Sequence, residues 1–209
     1  MGMLGMRPKS KIYMVIDGFQ VPNTHLLNYW RKYIQFVDYS RMPVSPIHLP
    51  YMTDEYWAMT FNDGTTRWWG PGCRRIQKQW EDEVRAPLIR ISDADRQRGE
   101  ECLRQLGVPK GAWYVCLHVR EPSFHKQWNQ RHPATRDANI DTYMLAVKTI
   151  VDRGGWVIRL GDPSMKPLPK MEGVVDYAHS DLKSPSMDIF LCGSPRFFIG
   201  TNSGLGQVP

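Results

Sequence analysis

Apolar residues recur along this chain with two different periods, and the second half shows the more regular alternation. Residues 113–119 form an apolar run of strand length, and residues 156–160 form another. Between them, residues 137–153 place Ile140, Tyr143, Val147, Ile150 and Val151 on one helical face and close on Gly154-Gly155. Residues 174–177 read as a short third strand. Residues 186–192 read as a helix that starts from Ser184-Pro185, a favourable cap arrangement, and residues 196–200 as a fourth strand. Strands alternating with helices predict an α/β fold: a Rossmann-like parallel sheet with helices on both faces.

The pattern before Gly107-Val108-Pro109-Lys110-Gly111 is mixed, which predicts a smaller mixed α/β part over residues 1–107 and a Rossmann-like domain over 108–209. Residues 12–16 read as a short buried strand. Asn23 or Thr24 is placed to cap a helix running to about Val37, with Leu26, Leu27, Trp30, Tyr33, Ile34 and Val37 at helical spacing. Residues 41–55 are Pro-rich and predicted irregular. Residues 56–61 and 65–69 flank Asn62-Asp63-Gly64 as a hairpin. Ser92 is placed to cap a helix ending near Leu106, between the two parts, with Gly107 just past its end.

Composition narrows the class. Hydrophobic residues make up 42% and charged residues 23%, ordinary globular usage rather than disorder. A formal charge of +6 suits a phosphate-bearing partner and is too mild to argue for nucleic acid. Cys73, Cys102, Cys116 and Cys192 form no C-x-x-C pair, so a reducing, cytoplasmic setting without a zinc site is expected, with Cys116 a buried free thiol. No run approaches the roughly 18–20 apolar residues of a membrane span. The apolar run 12–16 is shorter than the about 7–15 residues of a signal-peptide core.

Ligands of open parallel sheets bind at the carboxyl ends of the strands, so three segments carry the candidate chemistry. At the first, His118 and Arg120 fall on one side of the strand end, about 6–7 Å apart along the backbone. An arginine there suits bidentate phosphate contact. The loop that follows holds His125, Lys126, Arg131, His132 and Arg136, either as further phosphate contacts or as a solvated basic loop. At the second end, Asp162 follows a strand and a glycine, where it accepts from a ribose or sugar hydroxyl or simply makes an Asp-Pro turn. At the third, Thr201-Asn202-Ser203-Gly204 leads into a predicted helix and exposes N–H groups to an anion, or is an ordinary Gly-rich connection. No Walker A loop and no G-x-G-x-x-G fingerprint is present, which excludes the usual P-loop NTPase and NAD-dependent dehydrogenase patterns.

His118-Val119-Arg120, Gly161-Asp162-Pro163-Ser164-Met165, Met187-Asp188-Ile189-Phe190-Leu191 and Gly200-Thr201-Asn202-Ser203-Gly204, in that order and spacing, resemble the donor-binding half of GT-B-type glycosyltransferases. The similarity is to the branch with the bacterial chitin-oligosaccharide and protein O-fucosyltransferases, and more closely to a related bacterial glycosyltransferase group. It covers about residues 92–209, with a looser likeness around Asn28-Tyr29-Trp30. The resemblance implies that Arg120 holds the β-phosphate, Asp162 lies near the nucleoside, and Thr201, Asn202, Ser203 and Gly204 meet the diphosphate. Asp188 either contacts the nucleotide or serves as a helix-end carboxylate. Glu121 replaces a second arginine, and Asn-Ser-Gly replaces a Ser-rich loop; both depart from a GDP-fucose site. The resembling proteins continue past Pro209, so the donor-binding half is expected to be incomplete and residues 1–209 alone to fall short of turnover.

The implied reaction moves a sugar from a nucleoside-diphosphate sugar to a glycan, lipid-linked or protein acceptor. With no Asp-x-Asp pair, the leaving diphosphate is expected to be stabilised without a metal or other cofactor, by Arg120, the basic loop and the helix after Ser203. His118, Glu121 and His125 are the positional candidates for acid–base work. A non-catalytic nucleotide- or anion-binding module is the alternative, and a hydrolase is disfavoured by the lack of paired carboxylates or a His-rich cluster.

Overall fold

The computed structural model describes residues 1–6, 13–16, 21–38, 58–121 and 137–208. The Pro-rich segment 41–55 and the basic loop with His125, Lys126, Arg131, His132 and Arg136 lie outside them. The chain forms two compact units, Met1–Ile89 and Arg90–Pro209. Among the described residues no helix is long and apolar enough to cross a membrane.

In the first unit, β1 (Tyr13–Ile16) pairs in parallel with β2 (Gln35–Asp38), and α1 (Thr24–Trp30) connects them. Asn23 caps α1 by accepting from the Leu26 amide at 3.1 Å. The helix expected to reach Val37 therefore stops at Trp30. Residues 33–37 fit a helical stripe, but Phe36 and Val37 equally suit a strand, and the open edge of β1 supplies ladder hydrogen bonds that a lone helical turn lacks. The hairpin forms as read: β3 (Ala58–Thr60) runs antiparallel to β4 (Thr66–Trp68). The sequence reading gave no element to the segment that follows, which is α2 (Trp69–Asp82). Pro71 lies in its first turn, where the missing N–H costs no helical hydrogen bond. Leu4, Met6 and Phe61 form this unit's core, against Ile76 and Trp80 of α2.

The second unit is built on β5 (Tyr114–His118), β6 (Trp156–Arg159), β7 (Val174–Val175) and β8 (Phe197–Gly200), all parallel, in the order β7-β6-β5-β8. Alternation along β5 sends Tyr114 and Cys116 to one face and Val115 and Leu117 to the other. The first face packs on α3 (Asp93–Gln105) and α5 (Pro185–Gly193), through Cys102, Leu103, Met187, Phe190 and Leu191. The second packs on α4 (Met144–Val151) and the 3-10 turn Ile140–Tyr143 that opens it, through Ile140, Val147 and Ile150. The sheet is thus covered by helices on both faces, consistent with a Rossmann-like α/β fold.

Three local expectations change. The segment read as one helix over 137–153 contains only eight α-helical residues. The helix expected after Ser203 is a 3-10 turn, Leu205–Gln207. The helix capped by Ser92, whose Oγ accepts from the Asp95 amide at 3.1 Å, belongs to the second unit, so the division falls between Ile89 and Arg90 rather than at 107. Its Gly99 lies directly against the Phe190 ring of α5, a close crossing that a side chain would block.

Gly200 sets the join between β5 and β8. A Cβ there would be driven into the carbonyl oxygen of His118, which is backbone and cannot step aside. Gly200→Ala is expected to cost the second unit about 1–3 kcal/mol, as overpacking does, read from urea unfolding of this unit by amide hydrogen exchange. An unchanged stability would show that the two strands separate freely at this point.

Candidate functional site

In the order β7-β6-β5-β8 the chain reverses direction of growth between β5 and β8, the topological switch point at which open α/β sheets place a ligand crevice. The loops leaving those two strands are fastened to each other. The Thr201 amide donates to the His118 carbonyl at 3.0 Å, and the Arg120 amide donates to Thr201 Oγ1 at 2.8 Å. Ser203 Oγ lies 3.1 Å from His118 Nδ1. Thr201 and Ser203 are half-buried by these contacts, whereas Asn202 and Gly204 are exposed. His118, Arg120, Thr201 and Ser203, read separately from two distant segments, therefore meet at one place.

His118 is 5% exposed. Burial, together with the positive charges of Arg159, Arg120 and Lys183, lowers its pKa from 6.5 to about 4. The ring is neutral near pH 7, free to donate or accept at Nδ1 according to tautomer. The Arg120 guanidinium turns toward Asp137, with Nε 3.2 Å from Oδ1, and the two side chains are only 12% and 10% exposed.

Glu121 was a candidate acid or base, and the structure gives its carboxylate another task. One oxygen accepts from the Lys166 amide at 2.6 Å, and the other faces the Arg159 guanidinium at 3.7 Å. Arg159, fully buried in β6, also pairs with Asp176 at 3.1 Å and donates to the Lys166 carbonyl at 3.2 Å. Asp176 in turn accepts from the Leu168 amide and faces His179 Nδ1, both at 2.9 Å.

Asp162 stands at the end of β6. Partial burial pushes its pKa up, but hydrogen bonds from Ser164 and the charges of Lys183 and His179 outweigh that, so it lies below the usual carboxylate value. Asp188 does not face the Thr201–Gly204 loop through any hydrogen bond among the described residues; both its oxygens are 3.1 Å from Lys183 Nζ. In a parallel sheet the helix returning between two strands starts at their carboxyl ends, so the N-terminus of α5 shares this end of the sheet. A cavity of about 450 Å³ opens beside it, between α5 and α3, lined by Ser184, Ser186, Met187, Phe190, Asp95 and Arg98.

Sequence reading missed Arg159, Asp176, Lys183 and Asp137. Arg159 had a visible signal, a charge inside the apolar run 156–160, which demands a buried partner. Lys183 had none, being one of many lysines in a polar connection.

The buried thiols are inert. Burial raises the Cys116 pKa, and the same effect pushes Cys192 up to about 12. The free Cys116 thiol expected from its apolar run is present, with Sγ donating to the Leu191 carbonyl at 3.3 Å.

No protein-family model, curated protein or solved structure matches this chain.

Two outcomes follow from the site's electrostatics. Removing Arg159 leaves Glu121 and Asp176 without the guanidinium that faces both, so Arg159→Met is expected to cost about 3–5 kcal/mol in urea unfolding. A loss below 1 kcal/mol would mean that the pairs are effectively solvated. For His118 the folded pKa is depressed, so between pH 6.5 and about 4 the unfolded chain binds a proton that the folded chain does not. This ring therefore removes stability as the pH falls through that window, by up to roughly 3 kcal/mol. His118→Gln is expected to flatten the pH dependence of unfolding there; identical slopes for the two proteins would refute the assignment.

Proposed function

We propose that the second unit binds a nucleoside-diphosphate sugar in the crevice between β5 and β8 and belongs to a GT-B-type glycosyltransferase. The observation that carries this reading is the direct fastening of the His118-Val119-Arg120 and Thr201-Asn202-Ser203-Gly204 segments at the topological switch point. Exposed Asn202 and Gly204 and the backbone N–H groups after Thr201 face the diphosphate. Arg120 exchanges Asp137 for phosphate, and Asp162 accepts from a sugar or ribose hydroxyl. The cavity beside α5 falls within the usual range of small-molecule sites, about 300–1,000 Å³, and receives the nucleoside.

Among the described residues, His118 and Asp162 are available for acid–base work, both with depressed pKa values, and His125 lies outside them. A general base works best with a pKa near the operating pH. That observation favours a second reading, a module that binds the nucleotide without chemistry. The two readings share the ligand and differ in turnover.

The test is a thermal-shift and calorimetry panel of UDP-, GDP-, CMP- and dTDP-sugars at millimolar concentration. Stabilisation by at least one is expected, and Arg120→Ala is expected to weaken that ligand by about 1.5–3 kcal/mol, with Arg120→Lys rescuing only in part because the bidentate fork is lost. Release of free nucleotide supports the transferase reading; binding without release, under all acceptors tried, supports the module. A chain that none of these ligands stabilises would overturn both.

A further inference from the structure

His179 ends the 3-10 turn Tyr177–His179 that follows β7, and its ring stands between two acceptors. Nδ1 lies 2.9 Å from an Asp176 carboxylate oxygen, and Nε2 lies 3.2 Å from the carbonyl oxygen of Pro163, in the loop after β6. The Asp176 carboxylate is paired with the Arg159 guanidinium at 3.1 Å and accepts from the Leu168 amide at 2.9 Å, so it offers the ring lone pairs and no proton. A carbonyl oxygen offers no proton either. A neutral imidazole carries one N–H and serves one of the two acceptors; only the imidazolium donates to both at once.

The Pro163 carbonyl belongs to a peptide whose other end holds Asp162. The N–H of that same peptide, on Ser164, donates to Asp162 Oδ1 at 2.8 Å, and the Met165 amide closes the turn on the Asp162 carbonyl at 3.0 Å. A hydrogen bond accepted at a carbonyl polarises its peptide and strengthens the N–H as a donor. An unbroken path therefore runs from Asp176 through the ring and the Pro163–Ser164 peptide to the Asp162 carboxylate. Water reaches the ring, 26% of whose side chain is exposed, so it exchanges protons with solvent. The charged groups about it are Asp176 at the start of its own turn, Asp162 in the loop after β6, and Arg159 of β6 behind Asp176. Against partial burial, the Ser164 hydrogen bonds and the charges of Lys183 and His179 keep Asp162 ionised.

We propose that His179 is the positioning residue of Asp162: as the imidazolium it clamps the Pro163–Ser164 peptide and aims the Asp162 carboxylate, and on losing its proton it lets that loop go. The neutral ring keeps its one N–H on the Asp176 carboxylate, since a hydrogen bond to an ionised acceptor is about twice as strong as one to a neutral acceptor. Nε2 then turns a lone pair toward the Pro163 oxygen, and the two repel. The hold on the loop is complete in acid and is lost as the pH rises through the titration of the ring. That Asp162 meets a ligand hydroxyl rests on the nucleotide-sugar reading above; the coupling of His179 to the loop does not.

The experiment follows the 209-residue chain by NMR from about pH 5 to 8, the range in which histidine side chains change charge. The His179 ring signals, the Pro163 carbonyl carbon and the Ser164 amide nitrogen are read together in the wild type, His179→Gln and His179→Phe. In the wild type the Pro163 and Ser164 signals are expected to move with the ring, through one midpoint, and in both variants to lose most of that movement. Signals that stay still while the ring titrates, or that move alike in wild type and variants, would overturn the role of His179, as would a ring already neutral at the acid end. Should the variants unfold, the wild-type comparison of ring and loop signals still decides. A second arm measures, by calorimetry at the two ends of this range, the nucleotide sugar that binds best among the UDP-, GDP-, CMP- and dTDP-sugars. Its affinity for the wild type is expected to fall about threefold or more toward alkaline pH, the scale of one hydrogen bond, and to stay level for His179→Phe. Coupled signals with a pH-independent affinity, or with no nucleotide sugar bound, would leave His179 holding the loop and overturn the reading of Asp162 as a ligand contact.

Discussion

The end of the sheet that carries the crevice depends on one buried guanidinium. Arg159 is fully enclosed in β6, and its charge is answered by Glu121 from the loop after β5 and Asp176 from the turn after β7. Taking such a charge out of water costs several kcal/mol unless it is paired and hydrogen-bonded. The arrangement therefore holds three successive strand ends in a fixed relation. It also fastens the segment between Lys166 and Leu168, whose amides bond to the same two carboxylates. The loop bearing Asp162 is anchored at its far end by these charges as well as by the apolar packing of Met165 and Leu168.

On the other side of β5 the fastening is by neutral groups. Gly200 lets β8 approach the His118 carbonyl closely, the Thr201 amide bonds that carbonyl, and the Thr201 hydroxyl takes the Arg120 amide. Each bond is modest, about 0.5–1.5 kcal/mol net, but together they fix where the β8 loop leaves the sheet. Side chains of two segments 80 residues apart in sequence are held at hydrogen-bond distance, as Ser203 and His118 are.

These two fastenings give the crevice its chemical character. Burial, helped by nearby cations, suppresses the charged form of His118, and hydrogen bonds from Ser164, helped by Lys183 and His179, favour that of Asp162, so the site holds a neutral imidazole and an ionised carboxylate near pH 7. Arg120 and Lys183 are each held by a carboxylate, Asp137 and Asp188, which keeps the local field from accumulating uncompensated positive charge.

The strands of the second unit, the Ser92 and Ser184 caps and the hairpin at Asn62-Asp63-Gly64 were legible because their causes are local: periodicity within a few residues, a hydroxyl one position before a helix, a turn dipeptide. The sequence by itself also determined that His118, Arg120, Asp162 and Thr201–Gly204 would lie at strand ends. What it left open was every choice between partners. Residues 33–37 suited helix and strand alike until β1 offered an edge. Trp69-Gly70-Pro71-Gly72, to which no element was given, opens a helix because a first turn tolerates Pro. Glu121 was a candidate for acid–base work only by position, and its carboxylate faces Arg159, 38 residues further along, on the neighbouring strand. Charge pairing acts through space, across the ladder of a sheet whose order no local pattern encodes, and so only the tertiary structure decided which of the charged residues are structural supports and which face the crevice.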